Sequence, residues 1–144
     1  MAPPRPSRRR LFAGALASAL AASCQRKARC GHCGMALDPA SRWYAELAFA
    51  DGSARGFDTP RCAFSAWRGP SREARELYAR GHYQGARLPS GSLRFASGSD
   101  VLGPMGPDLV PVEPEHADAF ARDHHARAML RASEVSPAVL NELS

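Results

Sequence analysis

The sequence has no apolar run long enough to cross a membrane as a helix, since a span needs roughly 18 residues. It has no acidic residue from Met1 to Ser23, where Arg5, Arg8, Arg9 and Arg10 lie. With those four set aside, the 19 basic residues of the chain fall to 15, against 14 acidic ones. Four of the five units of formal charge therefore belong to the N-terminus, and the rest offers no global support for nucleic-acid binding. There are only four cysteines, too few for a disulfide scaffold but enough for a metal or redox site. There is also no glycine-rich phosphate loop, no Gly-x-Ser-x-Gly elbow and no pair of carboxylates at helical metal spacing. No catalytic constellation is legible, and the chain does not read as an enzyme. What remains is 144 residues that are 44% hydrophobic, which suits one globular domain and excludes a disordered chain.

The first 23 residues read as an address and not as fold. Arg5 to Arg10 form a basic segment, Leu11 to Ala22 a short apolar one, and Ala22-Ser23-Cys24 resembles a bacterial lipobox. Cys24 is then the lipidated first residue of the mature chain, and residues 24–29 are a polar tether. Ser7-Arg8-Arg9-Arg10-Leu11-Phe12 also resembles a twin-arginine signal, although Sec export fits the same segment. The expected location is the periplasm, with the lipid in a membrane. Gln25 after Cys24, in place of Asp, favours the outer one. In that oxidising compartment a bare Cys-x-x-Cys closes to a disulfide unless something uses it.

Residues 30–144 read as a single α+β domain with an antiparallel sheet. Trp43 to Phe49 alternates as a half-buried strand, Asp51-Gly52 is a hairpin turn, and Ala54 to Phe57 is the return strand. Pro60 to Trp67 is a helix opened by Thr59 as N-cap and Pro60 at its first position. Ser71 to Arg80 reads as a second helix, capped by Ser71 and stopped by Gly81. Leu88 to Gly91 reads as a loop, Leu93 to Ala96 and Leu109 to Val112 as strands, and Glu115 to His125 as a helix. Ala128 to Arg131 is a candidate last strand and Ser136 to Leu143 a terminal helix.

The chemistry concentrates in Cys30-Gly31-His32-Cys33-Gly34-Met35. Thiolate, imidazole and thioether meet there, and the two sulfur ligands favour Cu(I) over hard ions. Cys33 and Met35 are two apart, so an extended backbone points both the same way, and Gly34 lets the chain bend around an ion. Met105, between Gly103-Pro104 and Gly106-Pro107, is the natural further ligand, or else a plug over the core. Cys30 and His32 are further candidates. Cys-Gly-His-Cys is also a disulfide-isomerase motif, but here no strand precedes it and Pro39 interrupts any following helix. A thiol–disulfide oxidoreductase using Cys30 and Cys33 therefore stays open, as does a lipoprotein stapled by zinc on Cys30, Cys33, Cys62 and a histidine. Cys62 reads as a small buried hydrophobe or a supporting group, and Asp58 as a brace of its turn or a support of the site. His82 reads as a loop residue, and His116, His124 and His125 as solvated histidines near a helix end.

Taken together, Cys30-Gly31-His32-Cys33-Gly34-Met35, Asp51-Gly52, Phe57-Asp58-Thr59-Pro60-Arg61-Cys62, Ser97-Gly98-Ser99-Asp100, Gly103-Pro104-Met105-Gly106 and Ala117 to Ala121 resemble the NosL family. These are lipoprotein copper chaperones associated with nitrous oxide reductase. The resemblance implies a NosL/MerB-like fold of two similar ββα-type halves and Cu(I) held by Cys33, Met35 and Met105. It further implies delivery to apo nitrous oxide reductase for its copper–sulfide centre, and a membrane ABC-type assembly complex as partner. The sequence departs from the family pattern at His124-His125, where a glycine pair is usual after the helix.

Overall fold

The computed structural model describes residues 27–144. The segment read as an export signal, and Cys24, lie outside the described residues. Among the described residues no helix is long and apolar enough to cross a membrane.

The chain builds two antiparallel sheets. Strand β1 (Ala45–Ala48) turns through Asp51-Gly52 into β2 (Ala54–Phe57), as the hairpin signal predicts. Gly52 takes φ +84, and Asp51 Oδ1 accepts the Ser53 N–H at 2.9 Å. The helix α1 (Pro60–Trp67) follows, with the Thr59 hydroxyl accepting the Cys62 N–H. Strand β3 (Glu76–Arg80) then pairs with the far side of β1, and β4 (Arg87–Pro89) adds an edge, giving the order β2-β1-β3-β4. Strands β5 (Arg94–Ser97), β6 (Val110–Val112) and β7 (Ala128–Leu130) form the second sheet in the order β6-β5-β7. Helix α2 (Ala117–Asp123) connects β6 to β7, and α3 (Pro137–Asn141) closes the chain.

The two sheets repeat one pattern. In each, a central strand pairs antiparallel with its successor, and a helix then carries the chain back to the other side of that central strand. The expected α+β architecture with two similar ββα-type halves is present; a third strand completes the second half, and a third and a fourth complete the first.

Two expectations are corrected. Ser71 to Arg80 is not a helix: its second half is β3, and Ser71 is buried, its hydroxyl accepting from Arg55. Leu77 and Ala79 point into the core while Glu76, Tyr78 and Arg80 are half-buried, a period of two that only a strand satisfies. Leu88 to Gly91 is not a simple loop, because Arg87–Pro89 pairs with β3. As an edge strand it tolerates Pro89, which has no N–H to donate.

The larger core packs the first sheet, α1 and α3 together with Leu93, Phe95 and Leu109 from the second half. Phe64 of α1 and Phe95 of β5 meet edge to face at 4.8 Å. The smaller core gathers Ala96, Val110, Val112 and Phe120. Glu113, buried at the end of β6, accepts the N–H groups of Tyr83 and Gln84 and so ties the β3–β4 turn to the second sheet.

Candidate metal centre

The Cys30–Met35 segment is a closed loop. Cys30 N–H donates to Met35 O at 2.8 Å, Gly34 N–H donates to Cys30 O at 3.0 Å, and a β-bridge joins Arg29 to Ala36. Gly34 at φ +78 is the residue that turns it. The loop lies on β2: a Cβ on Gly31 would stand 3.2 Å from the Arg55 side chain and 3.6 Å from the Phe57 ring. Its side chains are thereby delivered to the end of β2, where Asp58 leads into α1.

There the three thiols converge. Single ligand atoms of Cys30, Cys33, Asp58 and Cys62 all lie within 4.8 Å of one another. The three cysteines are free thiols; Cys30 and Cys62 are 4% and 0% exposed, and Cys33 is half-buried. The Cys33 thiol donates to Asp58 Oδ1 at 3.3 Å. The other oxygen, Oδ2, is buried and has no hydrogen-bond partner among the described residues. Such an orphan oxygen is costly unless something completes it.

The electrostatics follow from that packing. Burial pushes the Cys62 thiol far up, and its hydrogen bond to the Asp58 carboxylate adds to the effect. Cys33 is raised by burial, then by its contacts with Cys30 and Asp58, against the lowering effect of the Met35 backbone. Burial works to raise the Asp58 carboxyl, but the facing thiols of Cys30, Cys62 and Cys33 together hold it below its ordinary value. The packing thus favours the carboxylate form of Asp58 and the thiol forms of Cys33 and Cys62.

Met105, from the second half, lines a cavity that Cys33 also lines. Gly103 and Gly106 exchange backbone hydrogen bonds of 2.7 and 3.1 Å, making Pro104-Met105 the tip of a tight turn with Gly106 at φ +100. Met105, His32 and Cys33 line one cavity of about 390 Å³, with Arg61, Arg68 and the end of α3 on its other side. Met105 is 36% exposed, a tip and not a core plug. Met35 is 40% exposed and does not line that cavity, although it stands two residues from Cys33.

Sequence reasoning missed Asp108. It is 3% exposed, and its Oδ1 accepts the N–H groups of Arg61 at 2.9 Å and Leu109 at 2.8 Å. Burial raises its carboxyl to about 6, against hydrogen bonds from the Arg61 N–H, the Thr59 hydroxyl and the Leu109 N–H. The local signal was an acid between Pro107 and an apolar strand, where a surface turn is the ordinary expectation. Arg61 and Arg68 were missed too; their guanidiniums bind carbonyls of Leu143, Val135 and Ala132, drawing the C-terminal segment over the cavity.

The remaining histidines sit elsewhere. His82, His116 and His124 pack around Tyr83 and Phe120 beside the second sheet, and none joins the thiol cluster. His125 holds the turn after α2 at φ 53, a conformation more usual for glycine.

The NosL family model matches residues 21–140. The chain belongs to the NosL family. Among solved structures it is similar to the copper chaperone NosL from Shewanella denitrificans, with 20% identity and a TM-score of 0.63 over 77% of this chain and 91% of that one. No curated protein matches the chain. The NosL match extends from before the Cys-x-x-Cys loop to α3, so the thiol cluster and the Met105 turn both lie within the family region.

Proposed function

We propose that the protein is a periplasm-facing lipoprotein that carries one Cu(I) on Cys33, Met35 and Met105 and hands it to apo nitrous oxide reductase. Copper here is cargo, and the protein is a carrier and not a catalyst. The observation that carries the reading is the meeting of Cys33 and Met105, from separate halves of the fold, on one open cavity. Thiolate with thioether selects Cu(I), and two exposed methionines let the ion enter and leave by exchanging one sulfur at a time. A closed set of four strong ligands would retain it instead. The copper chaperone among the similar structures supports the cargo, and family membership supports the acceptor. Cys24 would supply the lipid anchor, and an ABC-type membrane complex the assembly partner. The thioredoxin-like reading loses ground, because Cys30 sits in a closed loop after a bridge, with no helix beginning at it.

The test is an anaerobic Cu(I) titration of the reduced protein against a chromophoric competitor, with zinc in parallel, followed by transfer to apo nitrous oxide reductase. Tight one-to-one binding that survives excess zinc, and copper appearing in the reductase, is the expected result. Preference for zinc would refute the cargo, and retention of copper beside the apo-enzyme would refute the acceptor.

A further inference from the structure

We propose that Arg61 and Arg68 make one wall of the cavity shared by Cys33 and Met105 a carboxylate-binding site, and that its ligand is the small, acid-bearing thiolate that brings Cu(I) to the protein. The inference rests on the copper-carrier reading for the cargo; the anion site itself stands on the arginines.

The cavity is larger than its metal. About 390 Å³ falls in the range of small-molecule sites and is far more than a single ion fills. Its charged lining is of one sign. Beside Cys33 and Met105 stand His32, Arg61, Arg68 and Asn141, and no Asp or Glu side chain. Asp108 accepts the backbone N–H of Arg61 but is buried outside that lining. Ion pairs among the described residues join Arg87 to Glu46, His124 to Asp100 and Arg127 to Glu142; neither cavity guanidinium has one.

The two arginines are also held in place. Arg61 donates from Nη1 to Leu143 O, and Arg68 donates from Nε to Val135 O at 2.9 Å and from Nη2 to Ala132 O. Arg68 further lies over the rings of Phe64 and Trp67, at 5.7 and 5.0 Å. Carbonyls hold a guanidinium without cancelling its charge. A guanidinium has five N–H groups, so Arg61, with one spent, keeps four, and Arg68, with two spent, keeps three. None of their nitrogens is a buried atom without a partner among the described residues, so the spare groups are open to a ligand at the cavity. Fixed, forked and unneutralised donors of this kind take carboxylates two oxygens at a time.

Two such charges disfavour the approach of a bare cation and favour a complex that is negative overall. Cu(I) held by two acid-bearing thiolates is such a complex. With its carboxylates on Arg61 and Arg68, the Cys33 sulfur bonds the ion as one bond from copper to an incoming thiolate breaks. The Cys33 proton passes to that departing sulfur, which leaves as a thiol. The Met105 sulfur then displaces the second thiolate, which leaves with its negative charge. No electron is transferred, and copper stays Cu(I).

Two thiols that differ in charge test this. The reduced protein is mixed anaerobically with Cu(I) bound to mercaptosuccinate, which carries carboxylates, or to mercaptoethanol, which carries none. Copper on the desalted protein is read against time, and the ratio of the two rates is compared between proteins. Arg61→Gln/Arg68→Gln should lower the ratio about tenfold, with its fold verified by circular dichroism. Arg72→Gln/Arg75→Gln, the same change of net charge at exposed arginines outside the cavity, should leave the ratio unchanged. Equal falls in both variants would assign the effect to overall charge and overturn the proposal. Succinate, which carries no metal, is titrated separately into the metal-free parent. It should shift the NMR signals of the Arg61 and Arg68 side-chain N–H groups saturably, which keeps the proposal testable if the cavity variant does not fold. No shift overturns the proposal and leaves the carrier reading standing. Copper taken from neither complex, with the succinate shifts intact, refutes the carrier reading and leaves the anion site standing. Succinate shifts with an unchanged ratio in the folded cavity variant would give the wall to a carboxylate of the acceptor and overturn the small-molecule donor.

Discussion

Asp108 accepts the backbone N–H of Arg61 at 2.9 Å, and through that bond the Met105 turn is fixed to the helix that carries Cys62. Asp108 also packs against the base of the turn, where a Cβ on Gly103 would come within 3.0 Å of its own Cβ. Asp108→Ala would leave the Arg61 and Leu109 N–H groups without an acceptor in a buried place. It should lose about 1–3 kcal/mol of unfolding free energy and weaken Cu(I) binding as the Met105 turn loosens. Asp108→Asn keeps an oxygen for the same donors and should lose far less. Urea unfolding of both variants at pH 7 checks the order; equal losses would show that the acceptor is not what matters.

The same carboxyl predicts a pH dependence. Its folded-state value is raised to about 6 from an ordinary value near 3.8. A raised acid stabilises the fold fully below about pH 4, and that contribution is lost as pH rises through 6, amounting to roughly 3 kcal/mol for the full shift. Asp58 has the opposite sign, since its lowered carboxyl stabilises above its unfolded value and ceases to as pH falls. Subtracting Asp108→Asn from the parent isolates the Asp108 contribution: the variant should gain on the parent between pH 4 and 7. A flat difference across that range would assign Asp108 an ordinary titration.

Met35→Ala and Met105→Ala should each weaken Cu(I) binding by about tenfold or more while leaving stability within about 0.5 kcal/mol, because both side chains are substantially exposed. Competition titration and thermal melting on the same samples read the two effects separately. Unchanged affinity in both variants would remove the methionines from the copper site.

Much of the first half was legible because its signals are local. Asp51-Gly52 specifies a turn by backbone conformation, and Thr59-Pro60 opens a helix by a hydroxyl and a fixed φ, so β1, β2 and α1 could be placed from neighbours in sequence. Glu76–Arg80 misled for the same reason: Ser71 and Gly81 punctuate a segment as they would a helix. The five-residue alternation of Leu77 and Ala79 is decided by β1, which offers an unpaired edge that only the fold reveals. At the site, Cys30, Cys33 and Met35 were legible as one short motif, and Met105 as an oddly placed methionine between glycines. The roles of Asp58 and Cys62 were not, since nothing in their spacing shows that the first turn of α1 lies over the Cys-x-x-Cys loop. Asp108 was invisible because its value lies in two backbone N–H groups, and sequence does not display those.

His125 gives the last prediction. It occupies φ 53 in the turn between α2 and β7, where its neighbour His124 is held by Asp100 at 2.9 Å and Ala126 N–H returns to Ala121 O at 3.1 Å. The turn therefore keeps its shape although the family pattern would place glycine there, and His125 bears the steric cost of its Cβ in the left-handed region. That cost is about 1–2 kcal/mol for an L-residue, and glycine removes it while returning somewhat less than that in unfolded-chain entropy. His125→Gly should accordingly raise unfolding free energy by up to about 1 kcal/mol, read as a higher melting temperature, with Cu(I) affinity unchanged. His124→Gly should do the reverse, because it removes the contacts of the imidazole with Asp100 and with Phe120, whose ring centroid is 4.5 Å away. Stabilisation by His124→Gly and not by His125→Gly would mean that the side chains, and not the backbone at residue 125, decide this turn.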